Sequence, residues 1–212
     1  EFAYETLQKL EKEAESLTDE QRKAENEKQQ KEYLSLAATH YTEYLKVASE
    51  NLRAKTGDPN VVPARWFELQ LRIGGIHERL GEYELAEKAY NKVVAQSKDK
   101  GLIIEAQYKI GHMWLKSGDP KKSLGTYLRL IHTVDKKDER TRKWIALSTF
   151  EAGVAYSRNN EPEKAKKMLN DFLREFTEQE YNAFREEAEK ILKNLNTSKI
   201  SILRPLSYKW YI

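Results

Sequence analysis

The sequence predicts an all-α protein, an α-α superhelix built from antiparallel helical hairpins and closed by a C-terminal capping helix. Three observations carry this reading. A motif recurs along the chain: Ile73-Gly74 followed by Gly81-Glu82-Tyr83 and Ala86, then Ile110-Gly111 followed by Gly118-Asp119 and Ser123, then Ala152-Gly153 followed by Asn160-Glu161 and Ala165. Outside the motif, apolar residues fall at three- and four-residue steps, the period of a helix face. Charged residues make up 33% of the chain and hydrophobic ones 39%, a balance that suits narrow helix pairs with a large wet surface better than a thick sheet-centred core. Each hairpin leaves an apolar face that only a neighbour can cover, so the repetition implies an elongated solenoid with a concave surface.

The elements follow in order. From Phe2 to about Leu17, Leu7, Leu10, Ala14 and Leu17 form one apolar helix stripe. Thr18-Asp19 offers an N-cap for a polar run, Glu20 to Glu32, in which Glu27 and Lys31 sit four apart and support each other by about 0.2–0.5 kcal/mol. The run continues into Tyr33, Leu36, Ala37, Tyr41, Tyr44, Leu45, Ala48 and Leu52, an aromatic-rich stripe read as packing surface, with an exposed dimer or partner face as the alternative. Gly57-Asp58-Pro59-Asn60 is the clearest break, because glycine stops a helix and proline excludes the residue before it from helical geometry.

In the hairpins, the small residue at Gly74, Gly111 or Gly153 is expected on the first helix, where a tight crossing with the second leaves no room for a larger side chain. Seven residues on, Gly81, Gly118 and Asn160 are residue types that tolerate left-handed backbone at a helix end. Pro120 and Pro162 then suit the first turn of the second helix, where a missing amide hydrogen costs nothing. From about Glu178 to Leu195, Tyr181, Phe184, Ala188, Ile191 and Leu195 share one side of a helix that reads as the array's cap. The final segment, Thr197 to Ile212, is apolar and basic and carries no acidic residue; folding back on the array is the preferred reading, and insertion into a groove of its own or of a neighbouring molecule (self-association) or docking on a partner are the alternatives. The chain is thus organised as N-terminal helices with a degenerate repeat (1–56), three repeats plus capping helix (57–196) and a tail (197–212).

Composition excludes several functions. Lys and Arg number 37 against 34 Asp and Glu, so there is no basic excess of the kind that marks nucleic-acid binding. The absence of cysteine removes disulfides, thiolate catalysis and cysteine-based zinc sites. No stretch reaches the roughly 18 apolar residues of a membrane span. His40, His77, His112 and His132 fall on different predicted helices or near a loop, without a His-x-x-x-His pair. No phosphate loop, nucleophile elbow or metalloprotease motif is present. The expectation is therefore no enzyme, no cofactor and no metal.

The repeat resembles the tetratricopeptide family. On that family's 34-residue template, the first repeat matches at Gly74, Gly81, Tyr83, Ala86 and Tyr90, the second at Gly111, Trp114, Gly118 and Tyr127, and the third at Gly153, Tyr156, Ala165 and Phe172. Ser123 replaces the usual alanine, Asn160 replaces a turn glycine, and the spacing exceeds the family standard, with the added residues expected around Ser97–Lys100 and Asp135–Thr141. The variable spacing, the phrase from Glu105 to Gly111 and the Phe172–Phe176 ending look like the bacterial cell-envelope branch, which includes the lipoprotein of the outer-membrane β-barrel assembly machinery and the periplasmic partner of the Tol-Pal system. That resemblance implies a periplasmic or envelope-associated location, with the cytoplasm as the alternative.

The family geometry implies a groove lined by the first helix of each repeat. It selects Glu68, Leu71, Arg72, Glu78 and Arg79 in the first, Tyr108, Lys109, His112 and Leu115 in the second, and Phe150, Val154 and Arg158 in the third. Apolar groups along its middle, flanked by both signs of charge, suit a peptide or protein segment with a few apolar anchors. The clamp that other members use for a chaperone's terminal carboxylate needs lysine and asparagine where this chain has Leu71 and Gly75, so the chaperone-adaptor reading is disfavoured. The expected function is a non-enzymatic scaffold or adaptor in protein–protein interaction. The alternative is a structural subunit whose groove and tail are buried in a larger or self-associated assembly.

Overall fold

The computed structural model describes residues 23–135 and 138–197, with side chains from residue 27 onward. Among these residues every regular element is helical, and the fold is all-α. The expected N-terminal stripe Leu7–Leu17 and the tail beyond Thr197 lie outside the described residues. The chain divides into two compact units, residues 1–97 and 98–212.

The first unit contains α1 (Lys23–Thr56), α2 (Trp66–Leu80) and α3 (Tyr83–Gln96). Helix α1 stops where the sequence predicts, before Gly57, whose positive φ of 70° is cheap only for glycine. Its inner face places Leu34, Ala37, Ala38, Tyr41 and Leu45 in one core with Trp66, Leu69, Ile73 and Ile76 of α2. The aromatic stripe read from the sequence as a single packing surface is in fact two. Ala37, Tyr41 and Leu45 are buried, whereas Tyr33, Leu36 and Tyr44 are exposed. Three- and four-residue steps run together along two neighbouring faces, and only one of them meets α2.

The second unit contains α4 (Lys100–Lys116), α5 (Pro120–Thr133), α6 (Glu139–Arg158), α7 (Pro162–Glu175), a 3-10 turn (Gln179–Tyr181) and α8 (Asn182–Asn196). Its core joins Tyr108, Leu115, Tyr127, Leu130, Phe150, Val154, Phe172, Phe176 and Ile191. Helix α8 lays Ala188 and Ile191 into that core and packs against α7, as a capping helix should.

Three hairpins, α2–α3, α4–α5 and α6–α7, are built on one plan. A Cβ placed on Gly74 would stand 2.3 Å from the Tyr90 ring, on Gly111 2.6 Å from the Tyr127 ring, and on Gly153 2.6 Å from Leu169. These are the tight crossings the sequence predicts, although Leu169 as the third partner was not foreseen. Each first helix ends in left-handed backbone at Gly81 (φ 78°), Gly118 (φ 91°) or Asn160 (φ 58°). The next amide then reaches back across the turn: Glu82 N donates to His77 O at 2.8 Å, Asp119 N to Trp114 O at 2.9 Å, and Glu161 N to Tyr156 O at 2.9 Å. This is the Schellman arrangement, and asparagine substitutes for glycine because its short side chain tolerates the left-handed region.

The extra length of the later repeats has a definite place. The second helices α3, α5 and α7 each have 14 residues, whereas the first helices α2, α4 and α6 have 15, 17 and 20. The stretches Gly74–Gln96, Gly111–Thr133 and Gly153–Glu175 are equal, so all variation lies in the connecting loops and in the opening turns of α4 and α6. Asp99 and Asp138 start these two helices by accepting from Gly101 N and Leu102 N, and from Arg140 N.

Candidate functional site

The residues selected for a groove fall in both units, and within each unit their apolar members are interior. In the first unit Leu71 is buried, Glu68 and Arg79 are exposed, and Arg72 and Glu78 are half-buried. Glu78 is engaged within its own hairpin, where it accepts a hydrogen bond from the Tyr90 hydroxyl at 3.2 Å.

In the second unit Tyr108, Leu115, Phe150 and Val154 all belong to the core. The expectation of an open apolar strip along these residues is therefore corrected: they are packing, not surface. The cause is the length of α6 and the position of α8. The early turns of α6 carry Trp144 to within 5.2 Å of the Tyr108 ring, and α8 sets Phe184 edge-on against Phe150 at 5.4 Å. Phe172 closes on Phe150 from α7 at 5.5 Å. An aromatic side chain enclosed in this way contributes stability and offers nothing to a partner.

The polar members of this set are tied into the same packing. Lys109 pairs with Glu105 at 3.6 Å on one helix face. His112 stacks on Tyr108 and places Nδ1 3.4 Å from Oε1 of the buried Glu151. Arg158 donates from Nη1 to the Leu115 carbonyl at 3.1 Å, where α4 runs out of internal donors. Two further arginines do the same for α7. Arg142 reaches Glu175 O at 3.1 Å and pairs with Glu178 at 2.5 Å, and Arg185 reaches Leu173 O at 2.6 Å and Phe176 O at 2.9 Å. The Arg142 guanidinium holds the Glu178 carboxyl below its ordinary value, and burial pushes the nearby Tyr181 phenol up. These groups fasten helix ends.

A feature with an open surface lies in the first unit and was missed in the sequence. Between α1 and α3, above α2, runs a cleft of about 570 Å³ lined by Thr42, Ile73, His77, Leu85, Lys88, Ala89, Lys92 and Ala95, among others. Ile73 and Ala89 are buried members of the unit's core, while Leu85 stands 44% exposed. Lys88 and Lys92, one turn apart on α3, supply positive charge along the wall. His77 on the α2 side is held by Glu82 at 2.6 Å. Gln70 belongs to the same lining, is only 4% exposed, and has no hydrogen-bond partner for Oε1. The cleft falls within the volume range of binding sites and joins a small apolar floor to a mostly polar rim that also includes Asn91 and Gln96. Its sequence signal was available: Leu85 interrupts the polar face of α3 between Glu84 and Glu87.

Among the described residues no three His, Asp or Glu side chains cluster as metal ligands, and no helix is long and apolar enough to cross a membrane. Comparison of the chain with protein-family models, curated proteins and solved structures gives no match.

Proposed function

We propose that this protein is a non-enzymatic interaction module that holds an acidic, amphipathic segment of another protein in the cleft between α1 and α3. The observation that carries the proposal is the cleft itself, with an apolar floor of Ile73 and Ala89, an exposed Leu85, and Lys88 and Lys92 on one wall. An amphipathic helix matches such a surface by laying apolar anchors on the floor and turning carboxylates toward the lysines. Opposite charge along the wall sets orientation and partner choice more than raw affinity. The tetratricopeptide resemblance, with its implication of an adaptor, supports the same class of function. So does the recurring hairpin plan, since hairpin repeats serve widely as binding scaffolds. An envelope or periplasmic setting remains part of the proposal on that resemblance alone.

The second reading, a structural subunit of a larger assembly, is supported by a specific observation. The apolar members of the expected groove in the second unit are enclosed by Trp144, Phe172 and Phe184. A filled face suits a spacer better than a receptor.

The experiment uses two fluorescent 18-residue peptides of designed sequence, with leucines on one helical face and either glutamates or lysines elsewhere. The glutamate peptide is expected to bind at least roughly tenfold more tightly than the lysine peptide. The exposed Lys88→Glu/Lys92→Glu double variant should reverse that order without changing the melting temperature. Equal binding of both peptides, no binding of either, or an unchanged order in the variant would reject the cleft as receptor and leave the structural reading.

A further inference from the structure

A second surface lies on α1, on the opposite side of the helix from Thr42, the residue that α1 contributes to the cleft. Tyr33, Leu36, Tyr44 and Val47 are 45%, 47%, 58% and 50% exposed. With His40, also exposed, they recur at steps of three and four and so form one continuous stripe over more than three turns. This stripe is separate from the buried row Leu34, Ala37, Tyr41 and Leu45 that meets α2.

We infer that this stripe is a self-association surface, on which α1 pairs antiparallel with α1 of a second copy of the chain. The argument rests on charge. In heptad terms Tyr33, His40 and Val47 share one seam position, and Leu36, Glu43 and Glu50 share the other. A parallel, in-register pair sets Glu43 against Glu43 and Glu50 against Glu50 inside the seam, two like-charge contacts that oppose it. An antiparallel pair whose centre lies between Tyr41 and Thr42 removes both conflicts. Leu36 of each copy then meets Val47 of the other, His40 meets Glu43, and Glu50 meets the hydroxyl end of Tyr33. On the flank, Glu32 lies opposite Arg53. Every one of these contacts occurs twice by the two-fold symmetry of such a pair. All of the charged residues involved are exposed in the single chain and so available for it.

Three apolar side chains per copy in the seam, with Tyr44 on its flank, make a small contact, which places the association among weak, reversible interfaces with a Kd of about 1–100 µM. Sedimentation equilibrium of the full 212-residue chain should show a reversible shift from the mass of one chain toward that of two across this range. Leu36→Glu, at a half-exposed position, should retain the helical circular dichroism spectrum and weaken association at least tenfold. Glu32→Arg should weaken it less, and Glu32→Arg/Arg53→Glu should restore it.

The register can be read directly because the chain has no cysteine of its own. Leu36→Cys combined with Val47→Cys should give a disulfide-linked dimer under mild oxidation, whereas Leu36→Cys alone should not, since the two copies of position 36 lie far apart in an antiparallel pair. A single-chain mass at every concentration up to several hundred micromolar would overturn the inference, including the case in which another segment of the same chain covers the stripe. Cross-linking by Leu36→Cys alone would overturn the antiparallel register, and association unaffected by Leu36→Glu would move it off this face.

Discussion

The two units use the same hairpin and reach opposite ends with it. In the second unit, α6 is long enough to bring Trp144 over Tyr108, and α8 brings Phe184 onto Phe150, so the aromatic side chains of the first helices are closed in. In the first unit, α1 and α3 both pack on α2 and leave a cleft between them, with Leu85 half-exposed beside it. The comparison teaches that a repeat motif specifies its seam and its turn, but not whether its outer faces are covered. That depends on the lengths and partners of helices which the motif does not mention.

The sharpest way to break the comparison is at Phe150, which is fully buried between Phe172 and Phe184. Phe150→Ala should cost roughly 3–5 kcal/mol in denaturant melts, the scale of an aromatic truncation in a packed core. A loss within experimental error would mean that the face is open after all. Next comes the glycine seam, which each unit builds within its own hairpins. Gly111→Leu forces a side chain into the Tyr127 ring and should cost roughly 1–3 kcal/mol or more. Its control is Gly125→Ala in α5, where an added Cβ meets nothing within 4 Å and should gain about 0.5–1 kcal/mol through helix propensity. Equal effects of the two substitutions would show that the glycines are not distinguished by the crossing.

A smaller effect tests the cleft side of the comparison. Gln70 lies in the cleft lining with an unpartnered amide oxygen. Replacing it by leucine removes an uncompensated polar group and should raise stability by about 1 kcal/mol, and destabilisation by the same amount would show that the amide is satisfied in solution. The smallest effect concerns Glu178, whose folded carboxyl is held below the ordinary value of 4.5 by Arg142. A lowered folded value means that the pair stabilises the protein above that pH, and that the contribution disappears as pH falls through the lowered value. Because the Glu178 side chain is 39% exposed, Glu178→Gln should cost less than about 1 kcal/mol at neutral pH, and the gap to the native protein should close as the pH is lowered below 4.5 and through the depressed folded value. A gap that persists in acid would assign the effect to packing.

Much of the fold was legible because its signals are local. Gly81, Gly118 and Asn160 mark left-handed turns by residue type alone, and Gly74, Gly111 and Gly153 mark crossings by the absence of a side chain. The site was far less legible. Whether Phe150 and Tyr108 face solvent is decided by Phe184, 34 positions beyond Phe150, and by Trp144, 36 positions beyond Tyr108. Helical period fixes which residues share a face and is silent on what packs against it. The α1 stripe shows the same limit: Tyr41 and Tyr44 lie three positions apart, one buried and one exposed, because only one of their two faces meets α2.

The equal stretches Gly74–Gln96, Gly111–Thr133 and Gly153–Glu175 restrict how a chain of this kind can gain or lose residues. One residue inserted into a helix of such a stretch between the glycine and its partner would turn the rest of that helix by about 100° about its axis. Tyr90, Tyr127 or Leu169 would leave its glycine, and the hairpin would have to be rebuilt. One residue inserted after Ser97 or Val134 disturbs none of these contacts, because it falls before the first helix of the next hairpin is committed. Drift in length is thereby channelled into the starts of α4 and α6, so that successive hairpins can differ in reach while each keeps an unaltered hinge.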